Sequence, residues 1–110
     1  MSIVIESAPR QIIPRLVDEA KEFEKRERRS GVRYPFVRHA SIGLNDQTYS
    51  AYTRNISDSG IGLMHNMELP LCDVELTIPT ELGRFLRVRA RVEWCESSSD
   101  GLYVSGLTFI

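Results

Sequence analysis

The chain has 110 residues, 42% of them apolar and 26% charged, which suits one domain with a modest core and excludes wholesale disorder. Its apolar runs are only a few residues long, its start carries no secretion pattern, and two cysteines are too few for a disulfide scaffold, so the expectation is a soluble cytoplasmic domain. The net charge of −1 hides an asymmetry: five arginines (Arg26, Arg28, Arg29, Arg33, Arg38) against Glu27 give a local +4, leaving −5 for the rest.

In chain order, Ile3-Val4-Ile5 followed by Pro9 reads as a tail or a short added strand. Ile12, Ile13, Leu16, Val17, Ala20 and Phe23 then recur at three- and four-residue steps, which predicts a helix over 14–27. Pro14 suits its first turn, and Ser30-Gly31 ends it. After Pro35 the pattern becomes that of strands. Residues 36–44 put Phe36, Ala40, Ile42 and Leu44 on one face, with Arg38 the exception. Asn45-Asp46-Gln47 is turn chemistry, and Thr48 to Arg54 is rich in Thr and Tyr. Further strands start at Ile61 and over 73–79.

The clearest strand runs from Phe85 to Glu96. There Leu86, Val88, Ala90, Val92 and Trp94 are expected inward, with Arg87, Arg89, Arg91, Glu93 and therefore Cys95 outward. A Ser-Asp-Gly turn at 97–101 precedes a last strand to Ile110. Six short strands predict an all-β antiparallel barrel or sandwich.

Several motifs fail. Gly60-Ile61-Gly62 lacks the third glycine of a dinucleotide fingerprint and runs into a strand. His39, His65, Cys72 and Cys95 lack zinc-like spacing, so no metal is expected. No nucleophile elbow or acid pair supports catalysis. Two elements remain: Arg29-x-x-x-Arg33, preceded by Arg28, and Asn55-x-Ser57-x-x-Gly60. A hairpin turning at Asn45 brings Arg33 and Asn55 to the same end of the sheet. Arg grips guanine or phosphate with a planar fork, Asn offers a donor and an acceptor, Ser a hydroxyl, and Gly close backbone approach. Such a set suits a guanine nucleotide, with no group to cleave it.

These paired motifs resemble the signature of PilZ domains, bacterial receptors for cyclic di-GMP. Trp94, Gly101, Gly106 and Phe109 are similar to the family's closing strands. The resemblance covers residues 28–110 and leaves 1–27 as a tail and helix. It implies a six-stranded antiparallel PilZ-type β-barrel holding ligand at its rim, and the helix read over 14–27 makes the expected fold that all-β barrel with an N-terminal helix. By the same resemblance Arg29 and Arg33 wrap the ligand, and Arg28 favours an intercalated ligand dimer. Asn55 braces a guanine edge or an arginine, while Ser57 and Gly60 contact a guanine from the turn.

The implied function is that of a non-enzymatic receptor with no cofactor beyond its ligand. It would signal to an unidentified protein partner by ordering its Arg-rich loop, with neither membrane nor nucleic acid as partner. Met64 stands near where the family often has another Arg. A PilZ-like adaptor that binds protein and no nucleotide, or an RNA-binding barrel, are the alternatives.

Overall fold

The computed structural model describes residues 5–6, 13–18, 20, 34–80 and 83–110. Eight strands follow in order: β1 (Ile5–Glu6), β2 (Tyr34–Pro35), β3 (His39–Leu44), β4 (Gln47–Ile56), β5 (Gly60–His65), β6 (Asp73–Pro79), β7 (Phe85–Ser97) and β8 (Tyr103–Phe109). Six of them pair in the order β7-β6-β3-β4-β5-β8, and β8 pairs back onto β7. That closure makes a six-stranded antiparallel barrel and removes its edges. The two short strands are additions: β1 lies parallel to the start of β7, and β2 lies antiparallel to the end of β4.

Alternation builds the core. On β7, Leu86, Val88, Ala90 and Val92 are buried while Arg87, Arg89 and Arg91 are exposed. Val74, Leu76 and Ile78 of β6, Ile61 and Leu63 of β5, and Leu107 of β8 meet them inside. Residues 13–18 and 20 are helical, and Ile13, Leu16, Val17 and Ala20 join the same core cluster. The rest of the helix expected over 14–27 lies outside the described residues. Among those described, no helix is long and apolar enough to cross a membrane.

The tight turns follow their residues. Asn45 and Asp46 form the two-residue loop between β3 and β4 with φ of 51° and 63°, the left-handed pair that a twisted hairpin requires and that Asn and Asp tolerate best. Arg38 escapes its apolar face at the barrel rim. Its guanidinium lies 4.9 Å from the Phe36 ring centroid, and Nη1 donates to the Pro79 carbonyl at 3.1 Å.

Two expectations fail on β7, for one reason. The register slips between Val92 and Trp94, so Val92 faces Leu107 but Trp94 faces Gly106 and Cys95 faces Ser105. A bulge at Glu93 inverts the alternation. Trp94 therefore turns outward, 41% exposed, and Cys95 turns in, its Sγ accepting from the Leu69 N–H at 3.4 Å.

Candidate functional site

The Asn-x-Ser-x-x-Gly motif spans the end of β4 and the turn into β5. Ser57 closes that turn. Its N–H donates to the Gly60 carbonyl at 2.9 Å, and its Oγ accepts from the N–H groups of Gly60 at 3.1 Å and Ser59 at 3.3 Å. Ser57 is only 4% exposed. The hydroxyl thus supplies what the turn's backbone donors need, the usual reason for Ser in such a place. Phe109 of β8 pins the turn from outside by donating its N–H to the Ser59 carbonyl at 2.8 Å. Asp58 and Ser59 remain exposed at the tip, while Gly60 is buried.

Asn55 sits on the outer wall through a second bulge. The β4–β5 register slips between Thr53 and Asn55, so Thr53 faces Leu63 and Asn55 faces Gly62. Thr53 and Ile56 point into the barrel and are buried, and Asn55 points out, half-buried. Across its other edge, β4 pairs with β2, Pro35 facing Asn55 and Tyr34 facing Ile56. The chain enters β2 directly after Arg33. The stretch leading from the Arg-rich segment therefore arrives alongside Asn55.

Thr53 holds that arrival in place. Its Oγ1 donates to the Phe36 carbonyl at 2.6 Å and accepts from the Arg38 N–H at 2.7 Å. Backbone bonds from Phe36 to Arg54 at 2.9 Å and from Thr53 to Arg38 at 2.8 Å complete the attachment.

The outer wall beside Asn55 is shallow because two glycines floor it. Gly62 of β5 and Gly106 of β8 are register partners. A Cβ on Gly62 would lie 2.6 Å from Asn55 Oδ1 and 3.1 Å from its Cγ. A Cβ on Gly106 would collide with Trp94 Nε1 and lie 2.5 Å from its Cε2. The Asn55 amide and the Trp94 indole thus sit close against the bare backbone of two paired glycines, as strand glycines allow. The motif search missed Gly62, Gly106 and Trp94 as a unit. Glycine inside two strands was the available signal, but only the register puts them side by side.

Of the sequence-derived site residues, Asn55, Ser57 and Gly60 gather at this end of the β4–β5 hairpin. Arg28, Arg29 and Arg33, with most of the Arg-rich loop, lie outside the described residues. Met64 is half-buried on β5, opposite Tyr52. Among the described residues no group of His, Cys, Asp and Glu could hold a metal ion. His65 is a core residue whose Nδ1 is 2.6 Å from the Met67 carbonyl and whose Nε2 is 2.6 Å from Ser105 Oγ. Burial pushes its pKa below the ordinary histidine value, and the bond to Met67 opposes that only in part.

The cationic face of β7 is largely matched by acids. Arg87 meets Glu75 at 3.3 Å, and Asp73 takes both Arg89 at 3.5 Å and Arg91 at 3.0 Å. These exposed pairs form a solvated cross-strand ladder.

A family model described as the PilZ domain matches residues 27–110. Among solved structures, the chain is similar to the Bacillus subtilis inhibitor of motility (MotI/DgrA), with a TM-score of 0.60 at 20% identity. That likeness covers 76% of this chain and 43% of the other, so the chain spans less than half of that protein's length. Among curated proteins none matches.

Proposed function

Because this chain belongs to the PilZ family, a family of cyclic di-GMP receptors, we propose that it binds cyclic di-GMP and relays occupancy to a protein partner without catalysis. The observation that carries this reading is the pairing of Pro35 with Asn55. It brings the chain that follows Arg28, Arg29 and Arg33 to the edge of the wall where Asn55 and the Ser57–Gly60 turn stand. Arginine can take guanine O6 and N7 with two parallel bonds or clamp a phosphate, and Asn55 can brace a guanine edge from the wall. Ser57 acts through the turn it closes, and buried Gly60 keeps the backbone there close to the surface.

In this reading the ligand orders residues 26–33 of the expected 26–35 loop, since Tyr34 and Pro35 are already paired with β4. Fixing backbone costs ~1–2 kcal/mol per residue, which charge-assisted bonds from several arginines to the phosphates and guanines offset. The ordered segment is the two-state element, and β2 transmits its state to β4. An RNA-binding reading, which would use the same Arg segment, fits less well, because only Tyr34 and Phe36 supply aromatics near it.

Calorimetric titration with cyclic di-GMP, with GTP and cyclic di-AMP as controls, tests the assignment. Saturable heat specific to cyclic di-GMP is expected. Arg29→Ala and Arg33→Ala should each weaken binding by ~1.5–3 kcal/mol, the range for losing a charged hydrogen-bonding partner. No binding at tens of micromolar ligand overturns the reading.

A further inference from the structure

Trp94, turned outward by the bulge, also lines a groove. The groove, about 420 Å³, runs between residues 68–71 and 93–96. Pro70, Leu71 and Trp94 give it apolar walls, and Leu71 is 70% exposed. Single exposed apolar side chains are ordinary, but a leucine and a tryptophan converging on one concavity mark a contact surface.

Charge says what the groove accepts. Glu68, Glu93 and Glu96 line it, and among the described residues no basic one does. Among the described residues no cation pairs with Glu68 or Glu96. Arg91 lies close enough to Glu93 to feel its charge, but its direct bond is to Asp73 at 3.0 Å. Three carboxylates around an apolar floor attract cations and repel phosphate, which disfavours anionic lipid and nucleic acid alike.

We propose that this groove docks a segment of a partner protein carrying an aliphatic or aromatic anchor flanked by Lys or Arg. The anchor packs on Leu71 and Trp94, and the flanking cations meet the three glutamates. Asn55, Ser57 and Gly60 do not line the groove, so peptide binding there is read without any nucleotide present.

Trp94 is the chain's single tryptophan and reports the groove directly. The whole chain is titrated with a short synthetic peptide that sets Leu anchors among Lys, and with a second peptide in which each Leu is Ser. The Leu-bearing peptide should bind saturably and shift Trp94 emission to the blue, and the Ser peptide should bind at least tenfold more weakly. Leu71→Ser, and separately the triple change Glu68→Gln, Glu93→Gln and Glu96→Gln, should each weaken the first peptide at least tenfold. All four residues are exposed, so far-UV circular dichroism should stay that of the parent. Equal affinity for the two peptides would reduce the effect to bulk charge and overturn the proposal. So would unchanged affinity in Leu71→Ser, no binding at all, or a dimer in sedimentation that Leu71→Ser dissolves, which would make a second copy the occupant.

Discussion

Asn55 and Trp94, from strands separated by two others, lie at either side of one strip of the barrel wall, each seated on a glycine of the intervening pair Gly62–Gly106. Both are placed by bulges, at Arg54 and at Glu93. Gly62→Ala puts a methyl group 2.6 Å from Asn55 Oδ1, so the amide must move. The amide is the far end of a side chain, and the barrel should keep its fold at a cost of ~1 kcal/mol. Cyclic di-GMP affinity should fall about tenfold, the ~1.4 kcal/mol of one misplaced polar contact. Gly106→Ala should instead lift the indole off the wall, seen as a red shift of Trp94 emission. An unchanged emission would mean that the indole does not rest on Gly106.

Ser57 and Asn55 should separate in their effects although they share one motif. Ser57 is buried and its Oγ serves two backbone donors of the turn. Ser57→Ala leaves the buried Gly60 N–H without that acceptor, so a stability loss of ~1–3 kcal/mol is expected. Asn55→Ala should act on cyclic di-GMP affinity. Chemical denaturation and calorimetry of both variants check the split. A Ser57→Ala chain as stable as the parent would show that the turn does not depend on the hydroxyl.

Thr53 is the third test. Its hydroxyl bridges the Phe36 carbonyl and the Arg38 N–H, fastening to β4 the segment that follows the Arg-rich stretch. Thr53→Val keeps the shape and strips both bonds, the one to Phe36 buried and the one to Arg38 part-buried. We expect a loss of about 2 kcal/mol or more, with hydrogen exchange rising at residues 36–38 before the rest of the barrel. Uniform loss of protection would deny Thr53 this local role.

Where sequence reading held and where it failed have physical reasons. Asn45–Asp46 was legible as a turn because only a few residue types accept two successive left-handed conformations. The inward face of β7 was legible up to Val92 because period-two alternation is local. Past Val92 it failed: nothing in the residue type of Glu93 announces a bulge, so Trp94 and Cys95 were assigned to each other's faces. The Asn55 motif was visible as a pattern. That Ser57 is buried, and that Gly62 lies beside Gly106, depends on the β5–β8 register, which couples residues far apart in sequence.

The Met67 carbonyl can only accept, so His65 Nδ1 carries the proton and Nε2 accepts from the Ser105 hydroxyl. The neutral ring satisfies both partners inside the barrel. A second proton would place a charge among buried groups, and the folded-state pKa is accordingly lowered, with desolvation the leading cause. The unfolded chain titrates this histidine near ~6.5. Above that value both states are neutral and His65 adds no slope. As pH falls below it, the unfolded state binds a proton that the folded state refuses, so stability drops until the folded-state pKa is reached. The contribution of His65 to the melting temperature should therefore be constant above pH ~6.5 and decline as the pH falls below it. His65→Gln, which cannot take up that proton, should flatten the decline in this window whatever its own stability. A slope that survives the substitution unchanged would assign the effect to another group.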